Sequence, residues 1–227
     1  MDKMIVICAY GNNFILENLK YIRKYNKNNK IVIVNNGMTV SKKSIEEGFS
    51  DLKISIIDTK DNLREIGSWW IACKNFPNES WYCFIHDSMY IKKDASSLIP
   101  KEGVFVFSSK KGWNGNHHMK SKVGEEFYNI IGKPTSNIYL VFGCMFACPN
   151  SVIKKLKLKG ITNIHAKSRS EAMSSERLMG LCFQRMNISM KVFTRIIPCG
   201  KKGNSAASGN NQVRTENDLY VKIRSGR

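Results

Sequence analysis

The chain has 227 residues and a formal net charge of +18, with 42% hydrophobic, 24% charged and 10% aromatic residues. This is too apolar for a wholly disordered chain, and 16 glycines and 5 prolines exclude a collagen-like or low-complexity one. The longest apolar run, residues 138–148, is too short to cross a bilayer, and the N-terminus carries no small-residue cleavage site, so an unexported, cytoplasmic protein is expected.

In chain order, the first third alternates strand and helix. Residues 4–10 are a continuous apolar run closed by Gly11-Asn12-Asn13, the mark of a strand buried on both faces. Residues 14–26 place Ile15, Leu19 and Ile22 on one helical face. Residues 30–37 and 53–59 read as two further buried strands, the first ending in a turn signal. Residues 61–76 set Leu63, Ile66, Trp70 and Cys73 on one stripe, which predicts a helix beginning near Asp61 or Asn62. A fourth strand spans 81–91 with polar residues toward its C-terminal end, and a fifth spans 103–109. Beyond it, 110–122 is a polar loop and 125–131 a short helix. Residues 138–149 form a buried strand containing a glycine, followed by a helix over 151–158. Residues 169–187 read as a helix with Leu178, Leu181, Cys182 and Met186 inward, and 191–199 as a last strand.

Strands alternating with helices predict one α/β domain with a mainly parallel central sheet flanked by helices, Rossmann-like in layout. The expected division is 1–198 for that domain and 199–227 for a flexible basic segment, a lid or a tail. The seven cysteines (Cys8, Cys73, Cys83, Cys144, Cys148, Cys182 and Cys199) are irregularly spaced, with no C-x-x-C, and most lie in apolar segments. They read as reduced core thiols. Charge is uneven: residues 1–151 carry 20 Lys+Arg against 14 Asp+Glu, whereas 152–227 carry 16 against 4. Such a field favours polyanions such as nucleic acid, an acidic membrane face or a phosphorylated substrate.

In sheets of this kind ligands bind beyond the carboxyl ends of the strands. That rule points to Ala9–Asn13, Asn35–Gly37, Thr59–Asn62 and His86–Met89. In the last of these a buried strand ends in His86-Asp87-Ser88. A carboxylate there is costly to bury unless it is paired or bound to a metal. Asp87 is therefore a candidate anchor for Mn²⁺ or Mg²⁺ beside a diphosphate, the alternative being a turn cap with His86 a satisfied core histidine.

The order of these segments resembles the GT-A glycosyltransferases over roughly residues 4–195: a first strand VICAYGNN, a second ending VIVNNG, and a metal motif closing a central strand, here His-Asp-Ser. Glu65-Ile66-Gly67 followed by tryptophans is similar to bacterial and viral polysaccharide transferases, among them the glycosyltransferase domain of a chlorella-virus capsid-glycosylating enzyme. The resemblance implies a metal-assisted transfer from a nucleotide-diphosphate sugar, UDP-linked, to a glycan or glycoprotein hydroxyl. It implies that Ala9 and Tyr10 lie against the base or ribose, that Asn35 bonds the nucleoside, and that Arg64 meets the base or phosphates. Glu65 and His86 join that donor site, Gly67 permits close backbone approach, and Asp87 holds the cation. The second aspartate of the usual motif is absent, with Ser88 and Met89 in its place.

An inverting transfer needs a carboxylate base. The resemblance places it at a helix following the glycine-bearing late strand (142–152), which selects Glu176, with Glu171 as the rival. An exposed helix-surface carboxylate is the ordinary alternative for Glu176. Lys201 and Lys202 are candidates for a lid closing over the diphosphate, His117-His118 for an acceptor-side lining, and Trp113 for stacking on a sugar. Two other functions fit parts of the sequence. A nucleic-acid-binding protein accounts for the charge, though the basic residues are scattered apart from 154–159. A nucleotidyltransferase would use a similar sheet, but the segment after the first strand, GNNFILEN, is not a phosphate loop.

Overall fold

The computed structural model describes residues 3–11, 14–113, 121–133, 138–195, 212–216 and 220–225. The chain opens β1 (Lys3–Ala9), α1 (Phe14–Tyr25), β2 (Lys30–Asn35), α2 (Lys42–Gly48), β3 (Lys53–Asp58), α3 (Arg64–Asn75) and β4 (Trp81–His86). There follow β5 (Met89–Ile91), β6 (Val104–Trp113), α4 (Lys122–Ile131), β7 (Ile138–Val141), β8 (Phe146–Pro149), α5 (Asn150–Leu158), α6 (Arg169–Arg185) and β9 (Met190–Arg195). Two more strands, β10 (Gln212–Glu216) and β11 (Tyr220–Ser225), complete it.

Eight of these strands form one sheet in the order β3-β2-β1-β4-β8-β6-β7, with β9 on the other side of β6. β3, β2, β1 and β4 are parallel, and β9 is parallel to β6. Only β8 and β7 run against them, so the sheet is mainly parallel. Alternate residues of β1 explain the layers. Met4, Val6 and Cys8 face a core built with Ile66, Trp69 and Cys73 of α3 and Leu178 and Cys182 of α6. Ile5, Ile7 and Ala9 face a second core built with Ile15, Leu19 and Ile22 of α1 and Ile45 of α2. A strand buried on both faces must be apolar throughout, which is why the first strand reads as an unbroken apolar run.

The order β3-β2-β1-β4 decides where a site can form. From β1 the chain steps outward to β2 and β3, then crosses back to β4 on the other side of β1. The crossovers α1 and α3 pack on opposite faces, which opens a crevice at the carboxyl ends of β1 and β4.

Several boundaries differ from expectation. The single strand expected over 81–91 is two, because the backbone turns at Asp87-Ser88 and β5 leaves the large sheet. The strand expected over 138–149 breaks at Gly143 (φ 61°) and Cys144 (φ 50°), letting β7 pair with β6 while β8 slips between β6 and β4. β6 continues through Trp113, into the segment expected to be loop. The short α2, capped by Ser41 accepting from Ser44 N at 3.1 Å, has a single buried residue, Ile45, too little to register as periodicity. Within the C-terminal segment, β10 and β11 pair antiparallel, and β11 pairs antiparallel with β5. Lys201, Lys202, His117, His118 and Cys199 lie outside the described residues. The six described cysteines are free and buried.

Candidate active site

The crevice is built by backbone and side chain together. Asp87 N donates to Cys8 O at 3.1 Å, and Tyr10 N donates to the Asp87 carboxylate at 2.8 Å. Asp87 is only 4% exposed, so this bond offsets part of the cost of burying its charge. The turn behind it is held by Asn18 of α1, which is fully buried. Its amide donates to His86 O (3.1 Å), Asp87 O (3.0 Å) and Met89 O (2.9 Å). Sequence reading passed over Asn18, although a lone amide on the apolar stripe of Ile15, Leu19 and Ile22 was the available signal.

On the other wall, α3 begins in an unusual way. Arg64 has φ 51°, a left-handed conformation costing about 1–3 kcal/mol in a non-glycine residue. It is held there by its neighbours: Leu63 N donates to Asn36 Oδ1 (2.8 Å), Arg64 N to Asn62 Oδ1 (3.0 Å), and Ser68 Oγ to Arg64 O (2.5 Å). Asn36 also donates to Ser68 Oγ at 2.7 Å. Asn36 and Ser68 thus tie β2 to the start of α3; Asn36 lies in the strand end 35–37 that the sheet rule selected, whereas Ser68 was missed because it is one polar residue inside an apolar helix stripe. Asn35, the residue assigned to the nucleoside, shapes its own turn. Its side chain accepts from Gly37 N and Met38 N and donates to Asp58 (2.9 Å).

Glu65 and His86 approach to 3.8 Å, and His86 Nε2 lies 2.9 Å from Gly143 O. Gly143 N donates to Glu176 Oε1 at 2.8 Å. Glycine is required at 143, since a Cβ there would stand 2.9 Å from His86 Cε1. The broken strand between β7 and β8 therefore joins the end of β4 to α6, and His86, Glu65 and Glu176 come together from three elements. The rival Glu171 is occupied elsewhere: it closes a capping box with Ser168 and accepts from Lys167 N at 2.7 Å. The space at Gly67 is taken up by protein, with Leu63 Cβ and His165 Nδ1 at 2.9 and 3.1 Å from where a Cβ would be. Ala9 is fully buried in the second core.

Electrostatics separate the groups further. Burial, then the nearby Glu65 carboxylate, pushes the Cys8 thiol well above its ordinary range, so it stays a neutral core group. Burial likewise pushes the Tyr10 phenol up, with Cys8 and Glu65 adding to the shift and Arg64 opposing it. Among the described residues, the buried Arg64 Nε finds no hydrogen-bond partner. Among the described residues, no group of three or more His, Cys, Asp or Glu is arranged to hold a metal ion.

The sheet order, with its crevice at the β1–β4 reversal, places the chain among α/β folds with a mainly parallel, Rossmann-like sheet. The chain is similar to S. aureus TarS 1–349 in complex with UDP-GlcNAc, with TM-score 0.50 and 16% identity over 93% of this chain and 62% of that one. The same protein in complex with UDP aligns with TM-score 0.50 and 16% identity over 87% of this chain and 61% of that one. A longer S. aureus TarS chain aligns with TM-score 0.48 and 15% identity over 86% of this chain and 35% of that one. The chain thus spans about three fifths of the length of the shorter TarS chains and about a third of the longer one. At this identity the likeness is one of fold. No protein-family model and no curated protein matches the chain. No helix among the described residues is long and apolar enough to cross a membrane.

Proposed function

We propose that the protein is a glycosyltransferase that moves a sugar from a UDP-linked donor to a hydroxyl of a glycan or glycoprotein. The observation that carries this reading is the convergence, at the β1–β4 crevice, of Asp87 bonded to Tyr10 N with the chain His86–Gly143–Glu176. The fold shared with UDP-binding TarS supports it.

In this reading Tyr10, with Ala9 and Asn35 behind it, borders the nucleoside. Arg64 supplies a charged donor to the diphosphate. Mn²⁺ or Mg²⁺ fits as an ion held by Asp87, phosphate oxygens and water, a hard-cation arrangement that needs only one or two protein carboxylates. When bound, the ion would neutralise charge on the leaving diphosphate. Glu65 and His86 fix the floor of the site, and Gly143 N orients Glu176. Glu176 accepts the acceptor hydroxyl's proton as that oxygen bonds the sugar's anomeric carbon. The bond from that carbon to the diphosphate breaks, and UDP leaves with its electron pair, inverting the configuration. General-base assistance of this kind contributes about 10²–10⁴-fold.

The test is thermal stability and turnover with a panel of nucleotide sugars. UDP with Mn²⁺ should raise the melting temperature, and Asp87→Asn should remove most of that rise. Glu176→Gln should retain the rise while slowing transfer by about 10²-fold or more. No stabilisation by any nucleotide sugar would overturn the reading; full transfer by Glu176→Gln would remove Glu176 from the role of base.

A further inference from the structure

At the opposite pole of the sheet, about 20 Å from the crevice along six-residue strands, the amino ends of β1, β2 and β3 open on a second concavity. It encloses about 520 Å³, and its lining includes Lys3, Lys24, Lys27, Lys30 and Lys53. Their arrangement follows from strand register. Lys30 and Lys53 are direct partners across β2 and β3, and Lys3 precedes Met4, the partner of Lys30 in β1. Like charges side by side on a sheet are destabilising, so the Lys30–Lys53 pair carries a cost that the Lys30–Glu79 ion pair offsets only in part.

Among the described residues, the nearby carboxylates meet only part of this charge. Buried Glu79 is bonded to Lys30 at 3.1 Å. Asp94 borders the cavity but caps the turn after it, accepting from Ser96 N (2.9 Å) and Ser96 Oγ (2.7 Å). Lys3 and Lys53 have no ion pair among the described residues. Lys24 suits the carboxyl end of α1 and lies 5.1 Å above the Tyr25 ring. The wall is also rigid. Buried Asn26 accepts from Ala95 N at 2.7 Å and donates to Lys93 O at 2.9 Å, and Asn29 donates to Asn26 at 3.2 Å.

We infer that this cavity is a binding site for an anion carrying two or more phosphate groups, separate from the β1–β4 crevice and independent of the reaction proposed for it. A concave surface of one sign focuses its field, and lysine ammonium groups bind phosphate as point charges. Lys3, Lys27 and Lys53 stand on three separate segments of the lining, and a linked series of phosphates meets them together.

The probe is tripolyphosphate, titrated calorimetrically in excess UDP without divalent cation. The expected result is a single saturable site, weakened by added salt and unchanged by Asp87→Asn. The pair Lys27→Gln/Lys53→Gln should bind roughly tenfold or more weakly, and Lys27→Glu/Lys53→Glu should lose binding. Both lysines are exposed, so these variants should keep the wild-type fold, which circular dichroism checks. Phosphatidylcholine vesicles carrying phosphatidic acid form a second arm. Sedimentation with them that the Glu pair abolishes assigns the phosphate to a lipid headgroup, and tripolyphosphate binding without it assigns a soluble ligand. Absence of saturable tripolyphosphate binding, equal binding by the lysine variants, or displacement by UDP overturns the inference.

Discussion

Asn18 shows how one side chain holds the turn at Asp87. Its amide bridges three backbone carbonyls that the turn at Asp87 would otherwise leave buried without donors. Leaving a buried polar group unpaired costs about 1–3 kcal/mol. Asn18→Leu should therefore lower stability by roughly 2–3 kcal/mol in urea unfolding, since several acceptors lose their donor at once. It should also weaken any stabilisation by UDP with Mn²⁺ more than Leu19→Val, a neighbouring core change, does. Equal effects on ligand response would mean that Asn18 serves packing alone. Glu171 gives the complementary lesson. Ser168-x-x-Glu171 is a capping-box pattern visible in the sequence, and reading it as such leaves Glu176 as the carboxylate facing the crevice.

Among the elements, α6 is the one whose seating matters most to the crevice, because it carries Glu176 to Gly143. It approaches β7 so closely at Gly180 that a Cβ would fall 1.6 Å from Tyr139 O. No side-chain adjustment relieves a clash with backbone, so Gly180→Ala must move the helix. Overpacking of this kind costs about 1–3 kcal/mol, and the expected outcome is a loss of that size in chemical unfolding together with slower turnover. Wild-type stability and rate in this variant would show that α6 has freedom the packing does not suggest. The element boundaries of α1, β2 and β3 were legible because each buries a continuous stripe or face. The split of 138–149 was not, because both halves are apolar and only the left-handed backbone at Gly143 and Cys144 divides them.

On the scale of the whole molecule, the C-terminal hairpin reaches back across the chain. Lys222, Val221 and Tyr220 pair in register with Met89, Tyr90 and Ile91, directly after the Asp87-Ser88 turn. Removing residues 212–227 would strip β5 of its partner strand and expose its backbone groups. The truncated protein should melt at a lower temperature and gain less from UDP with Mn²⁺, as read by thermal unfolding with and without them. An unchanged ligand response would separate the hairpin from the crevice. The concentration of positive charge toward the C-terminus was evident from composition, but its partner β5 was not. A pairing between segments more than a hundred residues apart leaves no local periodic signal.

What the amino-acid order determined by itself is the layered α/β class, the buried central strands and the strand ends at which Tyr10, Asn35 and Asp87 stand. These depend on local periodicity and on where apolar runs stop. Tertiary structure alone decided that β4 lies beside β1, that Gly143 ties His86 to Glu176, and that the lysines beginning three strands line one cavity. The physical reason is that such relations are fixed by strand register and by hydrogen bonds between distant segments, whose partners are chosen only when the whole sheet assembles.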